Sequence, residues 1–230
     1  DVLGEEEKSI IGCDLMLYNR ERGRIWGRNN EFISAPRLDD LQCVYALLKG
    51  FIESGESRDT VQTLCIFDNE EVGSGTKQGA KSDFLSSVLL RISKCFGIDY
   101  AGHMRRLNSS FLVSADNAHA IHPNRSDAYD SENYPRIGGG VVIKYNAAQR
   151  YTTDAVSEAI FKKICRRAGV PYQVYANKSD IAGGSTLGNL AAEKTCVSSV
   201  DIGLAQLAMH SAYETAGNED TSYMINAVKE

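Results

Sequence analysis

The chain has 230 residues, of which 43% are hydrophobic and 24% charged, so it is long enough for one large globular domain or for one domain plus a piece of another. Its net charge of −5 argues against nucleic acid or an anionic membrane as a partner. It has no run of about 18 apolar residues, the length a membrane span needs. Residues 1–7 do not resemble a signal peptide, and a chain that starts at Asp1 rather than Met is expected to be part of a longer protein.

The first half of the chain predicts a strand, a helix, a strand and a helix, over 9–19, 40–55, 61–67 and 82–95. Apolar side chains recur every three or four residues in the two predicted helices. Residues 61–67 instead form a continuous apolar run rich in β-formers.

The second half continues the alternation, and its best-marked element is a helix over 154–168. Basic residues occupy the last turn of this helix, and Gly169 and Pro171 follow it. The alternation of strands and helices indicates the α/β class. The other predicted elements are strands over 110–114, 140–145 and 196–200, a long loop over 122–140, a tight loop over 182–186 and a helix over 206–215.

The six cysteines are widely spaced and include no C-x-x-C pair. Most of them lie inside apolar runs. This predicts buried free thiols in a reducing compartment, and the cytoplasm fits best.

Four short segments contain side chains that bind divalent metals: 34–41, 67–75, 113–124 and 203–211. Three of them directly follow a predicted strand, which would bring their side chains together at strand ends of an α/β sheet. Carboxylates combined with an imidazole suit zinc, manganese or cobalt, and this is the ligand set of a two-metal hydrolase.

Each candidate also has an ordinary structural explanation. Asp39 and Asp40 at a helix start would serve as N-caps. Asp116 after a strand would form a turn, and His210 on an apolar segment would be a satisfied core residue. The metal hypothesis depends on all four segments converging.

Glu70 and Glu71 follow the predicted strand 61–67, and either a solvated turn or a site would accommodate them. Adjacent side chains point in different directions, so one glutamate can bind a metal while the other moves a proton from the activated water to the leaving amine. Glu70 fits the second role if Glu71 is the ligand. His119 and His122 remain open as ligands or as loop-packing residues, and loop packing is the preferred interpretation for His122.

The same segments resemble the aspartyl aminopeptidase family of cocatalytic zinc exopeptidases. The resemblance runs from about Glu31 to Tyr213, with APRLDDL, DNEEVGS, SADNAHAIHPN, VIKYNAAQRY and QLAMHS in family order. It implies a three-layer α/β/α, phosphorylase-like core with a mixed, mostly parallel sheet. It also implies two divalent metal ions, zinc first and manganese or cobalt as alternatives, and peptide substrates with an N-terminal Asp or Glu.

The resemblance assigns a role to each metal-site residue. Asp39 would bridge both metals, Glu71 and His210 would bind the first, and Asp116 the second. Glu70 would be the general base.

Three further residues would contact the substrate: His119, Lys144 and Tyr151. Lys144 would pair with the acidic side chain of the substrate. Without the resemblance, Lys144 would be interpreted as a solvated lysine at a strand end.

The chain also departs from the family. The family's upstream His-x-Asp segment, whose His binds the second metal, has no counterpart here. Residues 1–25 are expected to be a remnant of the family's inserted dimerisation domain, and residues 26–230 a catalytic domain without its N-terminal part. The full-length enzyme is expected to be a homo-oligomer, and the isolated chain to have little or no activity.

Two alternative functions stay open. One is an aminopeptidase or deacylase of the same clan with another specificity. The other is a metal-free binding or assembly module without catalytic activity.

Overall fold

The computed structural model describes Gly4 and residues 9–230. The strands are β1 Arg24–Trp26, β2 Phe32–Ala35, β3 Phe111–Ala115, β4 Ala118–His119, β5 Val141–Tyr145, β6 Tyr172–Ala176, β7 Ser198–Gly203, β8 Ala205–Leu207 and β9 Glu214–Gly217. The α-helices are α1 Leu38–Glu53, α2 Phe84–Cys95, α3 Tyr100–Asn108, α4 Ala155–Ala168, α5 Leu187–Thr195 and α6 Asn218–Lys229. Single 3₁₀ turns lie at Glu70–Val72 and Ser126–Ala128.

The strands form two mixed sheets. One has the order β3-β7-β5-β6, and the other has the order β1-β2-β9-β8-β4. The α/β class and the mixed sheet are confirmed, but the expectation of mostly parallel strands is wrong, since four of the seven strand pairings are antiparallel. Short connections explain two of these pairings, β1 with β2 and β8 with β9, because a strand joined to its neighbour by a turn or short loop runs antiparallel to it.

Helices cover both faces of the four-stranded sheet. Val200 and Ile202 of β7 face the main core, where α1, α4 and α6 contribute Cys43, Phe161 and Met224. The intervening Asp201 points to the opposite face, towards α5. There α5 approaches so closely that a Cβ at Gly188 would lie 2.3 Å from Asp201 Oδ1. Alternation along the strand therefore separates an apolar core from a polar face.

Most of the predicted helices and strands are present. Helix α4 is the clearest case: Asp154 accepts a hydrogen bond from the amide of Ser157, and Gly169 ends the helix with a φ of 67°. Helices α1 and α2 and strands β3, β5 and β7 also lie within a few residues of their predicted positions.

Three predicted elements are wrong. Residues 9–19 and 61–67 are not strands. The apolar side chains of 9–19 are exposed, with Ile11 at 101%, and those of 61–67 are exposed or half-buried, with Val61 at 59%. A strand needs a neighbour to bond its backbone, and no described strand pairs with either segment. Residues 206–215 form parts of strands β8 and β9 and the turn between them, not a helix.

The cysteine prediction holds only in part. All six cysteines are free, but only Cys43 and Cys165 are buried, while Cys13, Cys95 and Cys196 are exposed. None of the described helices is long and apolar enough to cross a membrane. The predicted boundary between residues 1–25 and 26–230 stays a prediction, and residues 1–3 and 5–8 lie outside the described part of the chain.

Candidate metal centre

The start of α1 places two aspartates side by side at the centre of the site. Asp39 and Asp40 have non-helical backbone angles within the first turn of α1, and a cis peptide bond joins them. The residue at the N-cap is Arg37, which makes no side-chain capping bond. The interpretation of the two aspartates as helix caps is therefore wrong.

Three side chains from distant parts of the chain converge on one point. His210 Nε2 lies 3.0 Å from Asp39 Oδ2 and 3.0 Å from Glu71 Oε2. Glu71 comes from the 3₁₀ turn after 61–67, and His210 from the turn between β8 and β9, where its φ is 65°. Their ligand atoms all lie within 4.8 Å of one another, as in a metal site.

A second group of potential ligands shares Asp39 with the first. Ligand atoms of Asp39, Asp40 and Asp116 also lie within 4.8 Å of one another. Asp116 directly follows β3, and the end of this strand places its carboxylate next to Asp39 and Asp40 at the start of α1. Asp39 is therefore positioned between two ligand groups.

The donor set fits divalent metal ions. The Asp39 side chain is only 4% exposed, and its Oδ1 is buried without a hydrogen-bond partner. Burial, followed by the neighbouring Asp116, raises the pKa of Asp39 to about 9, and burial raises the pKa of Asp40 and of Glu71. A cation among these groups would stabilise their ionised forms and supply the partner that Oδ1 lacks.

Glu70 lies beside the cluster but outside both ligand groups. It lines the same cavity and is partly buried. Burial, then Asp116 and Glu71, raises the pKa of Glu70 to about 7. A carboxyl group with this pKa can exchange a proton near neutral pH, as a general base requires.

Lys144 is a buried cation of the site, and its side chain is 2% exposed. Its Nζ donates to the Asn117 carbonyl at 2.8 Å and lies 3.7 Å from Asp116 Oδ2. Burial alone would lower the pKa of Lys144, but Asp116, Tyr151 and Asp201 outweigh it and raise the pKa. The interpretation of Lys144 as a solvated strand-end lysine is therefore wrong.

A cavity of about 360 Å³ joins these groups. Its walls include every candidate residue taken from the sequence: Asp39, Glu70, Glu71, Asp116, His119, Lys144, Tyr151 and His210. The buried Tyr151 ring lies 5.5 Å from Lys144 Nζ. The structure thus brings the predicted residues together, while their individual roles remain predictions.

The other two histidines do not line the cavity. His122 Nδ1 accepts a hydrogen bond from the Asn124 amide at 3.1 Å, as loop packing predicts. His103 is buried between α2 and α3, where its Nδ1 lies 2.8 Å from the Ser93 hydroxyl.

Two buried carboxylates beside the site were not found from the sequence. Glu214 accepts hydrogen bonds from the backbone amides of Asp39 and His210. Asp201 accepts from the Thr152 amide and the Thr186 hydroxyl. The only signal in the sequence for Glu214 is its position four residues after His210, which is too weak to distinguish it from an ordinary surface glutamate.

Comparison with known protein families matches residues 1–230 to the aminopeptidase I zinc metalloprotease family, M18. A probable M18 family aminopeptidase 2 from Clostridium acetobutylicum is 47% identical over 228 residues, which are 99% of this chain and 52% of that protein. The corresponding protein from Streptomyces coelicolor is 35% identical over 231 residues, 99% of this chain and 54% of that protein. The chain therefore spans about half the length of these curated relatives.

Solved structures show the same similarity. The cryo-EM structure of the Ape4 and Nbr1 complex matches with a TM-score of 0.86 and 37% identity, covering 92% of this chain and 41% of that chain. The M18 aminopeptidase from Thermotoga maritima matches with a TM-score of 0.84 and 28% identity, covering 92% and 48%. The S. cerevisiae mApe1 dodecamer matches with a TM-score of 0.80 and 29% identity, also covering 92% and 48%.

The match over the whole chain, the relatives and the convergent ligand groups agree with one another. The chain belongs to the M18 family of zinc aminopeptidases.

Proposed function

We propose that the full-length protein containing this chain is a two-zinc aminopeptidase that removes N-terminal Asp or Glu from peptides. The observation that carries the proposal is the single cavity in which Asp39 joins two ligand groups beside the buried cation Lys144. Membership of the M18 family supports zinc as the metal.

Four residues of this chain would hold the metal ions. Asp39, Glu71 and His210 would bind one ion, and Asp39 with Asp116 would bind the other. Zinc, when bound, lowers the pKa of water and polarises a peptide carbonyl. Because Asp39 belongs to both groups of ligand atoms, the two metal ions would be held next to each other.

Glu70 would act as the general base. Its carboxylate would take the proton from the attacking water and give it to the nitrogen of the scissile peptide bond, which leaves as the new amino terminus of the shortened peptide. The raised pKa of Glu70 supports both transfers, since a carboxyl near pKa 7 accepts and releases protons readily.

Lys144 would select acidic substrates. A lysine ammonium has three N–H donors, and within the described part of the chain only the Asn117 carbonyl accepts a well-formed hydrogen bond from it. A substrate carboxylate in the cavity would give the buried charge a second anionic partner besides Asp116. His119 and Tyr151, which line the same cavity, would contact the substrate as well.

The isolated chain is expected to turn over little or no substrate, because the second metal would have too few protein ligands.

We propose that the full-length protein is a homo-oligomer, as the S. cerevisiae mApe1 dodecamer is. The six free cysteines support a reducing compartment such as the cytoplasm.

The test is hydrolysis of a series of amino-acid anilides by the full-length protein before and after metal removal. We expect kcat/KM to be highest for aspartyl and glutamyl anilides, and activity to disappear with a chelator and return with zinc. Faster cleavage of leucyl or alanyl anilides would favour a related aminopeptidase of other specificity. A protein that binds no zinc, manganese or cobalt would favour the metal-free module.

A further inference from the structure

Glu214 connects the backbones of two of the predicted metal ligands. It is the first residue of β9, and its side chain is buried, with the residue 2% exposed. Glu214 Oε2 accepts a hydrogen bond from the Asp39 amide at 2.9 Å, and Oε1 accepts one from the His210 amide at 2.7 Å. Each oxygen of one carboxylate therefore holds a different ligand segment.

Neither ligand segment is fixed by regular secondary structure. Asp39 has a ψ of 113° inside the first turn of α1, far from the helical value. His210 has a φ of 65°, a left-handed conformation that is unfavourable for a residue with a Cβ. Positions of this kind depend on outside contacts to stay in place.

We propose that Glu214 is a positioning residue of the metal centre, whose carboxylate sets the distance between Asp39 and His210. This inference rests on the proposed function only in taking Asp39 and His210 as metal ligands. Glu214 itself does not belong to either group of ligand atoms. It would act on metal affinity through the two backbones.

The two oxygens of the Glu214 carboxylate satisfy both amides. Each amide donates one hydrogen, and a carboxylate accepts on both oxygens. A glutamine at position 214 offers one oxygen and one NH₂ group, so one of the two amides would face another donor. One ligand segment would then lose its anchor while the size of the side chain stays the same.

Asp220 provides a matched control within the same chain. It is also fully buried, and its two oxygens accept from the Gly138 and Gly140 amides at 2.8 and 3.0 Å. It does not line the cavity. Replacing Asp220 with Asn removes the same kind of double amide contact without touching a ligand segment.

The experiment compares Glu214→Gln, Glu214→Asp and Asp220→Asn in the full-length protein. Zinc affinity is measured by competition with a chromophoric chelator, and the Tm is measured with and without zinc. The visible absorption spectrum of the cobalt-loaded protein reports on the geometry of the ligands.

We expect Glu214→Gln to weaken zinc binding at least tenfold and to change the cobalt spectrum. Glu214→Asp, whose shorter side chain keeps the charge, should lie between Glu214→Gln and the parent. Asp220→Asn should lower the Tm of the metal-free protein about as much as Glu214→Gln does. Its zinc affinity and its cobalt spectrum should match those of the parent. If Glu214→Gln does not fold, Glu214→Asp is judged by the same affinity and spectrum.

Zinc affinity within twofold of the parent in both Glu214→Gln and Glu214→Asp would overturn the inference. A loss of zinc affinity in Asp220→Asn as large as that in Glu214→Gln would overturn it as well. These outcomes leave the proposed function intact, because they do not depend on which substrate is cleaved. A parent protein that binds metal but cleaves no acidic substrate would contradict the proposed specificity and leave the role of Glu214 standing.

Discussion

Lys144 Nζ lies 3.7 Å from Asp116 Oδ2, so a buried ammonium forms an ion pair with a predicted metal ligand in the wall of the cavity. This pair links the two halves of the proposed activity, since Asp116 would bind metal and Lys144 would bind the acidic side chain of the substrate. A change at Lys144 could therefore act on specificity, on the metal, or on both.

Lys144→Met should damage cleavage of acidic substrates selectively. We expect kcat/KM for aspartyl anilide to fall by about tenfold to a hundredfold, because the substrate carboxylate loses its charged partner. Cleavage of alanyl anilide should change by less than about threefold. Steady-state kinetics on both substrates checks this.

The control is Lys162→Met, which removes a lysine that pairs with Glu158 on α4 and does not line the cavity. It should leave both rates unchanged. An equal loss on both substrates in Lys144→Met would mean that Lys144 supports Asp116 and does not select the substrate.

Glu70→Gln should abolish turnover without releasing metal. Glutamine cannot accept the proton of the attacking water, so kcat should fall by about 10²- to 10⁴-fold. Zinc content per chain, measured by elemental analysis, should match the parent. The neighbouring Glu71→Gln should lose zinc, since Glu71 lies 3.0 Å from His210 Nε2 within the ligand group.

Reversal of these two results, with metal lost in Glu70→Gln and kept in Glu71→Gln, would exchange the roles of the two glutamates.

Zinc affinity should rise with pH. The pKa of Asp39 in the metal-free protein is raised to about 9, so near pH 7 this carboxyl carries a proton that zinc must displace. Where one proton is released, affinity should increase about tenfold per pH unit and level off above the pKa of Asp39. Calorimetry in buffers of different ionisation enthalpy counts the protons released.

Asp39→Asn removes the carboxyl group that titrates. In the same experiment this variant should bind zinc weakly, and zinc binding should release fewer protons than it does from the parent. Affinity that is constant between pH 6 and 9 would contradict a protonated Asp39 in the metal-free site.

Asp201→Asn should loosen the substrate side of the cavity. Asp201 Oδ2 accepts from the Thr152 amide at 2.6 Å and Oδ1 from the Thr186 hydroxyl at 2.9 Å, so it ties together two loops that border the cavity. We expect KM to rise severalfold and the free energy of unfolding to fall by about 1–3 kcal/mol, with zinc content unchanged. Kinetics, denaturation and elemental analysis on one preparation check all three.

Asp220→Asn again serves as the control. Its free energy of unfolding should fall about as much as that of Asp201→Asn, and its KM should stay unchanged. An unchanged KM in Asp201→Asn would show that the two loops hold their positions without this carboxylate.

The helices that pack on the sheet were the most predictable part of the fold. Helix α4 follows from an amphipathic pattern, an aspartate before its first turn and a glycine after its last. These are local signals, and each acts within a few residues. The candidate residues were also predictable, because their segments keep the order and motifs of a known family.

The wrong predictions concern positions that distant contacts decide. The run 61–67 has the composition of a strand, but a strand forms only where another strand bonds to it. The segment around His210 has helix-forming residues, yet pairing of Gln206 with Ala216 makes it a hairpin. Glu214 acts on Asp39 across 175 residues of sequence, a contact that no local pattern reveals.

The most direct test of the central claim is to locate zinc in crystals of the full-length protein by anomalous diffraction at the zinc absorption edge. The claim predicts a peak bonded to Asp39, Glu71 and His210, and a second peak at Asp39 and Asp116. Zinc bound at other residues, or the absence of a peak at this cluster in zinc-saturated crystals, would contradict it.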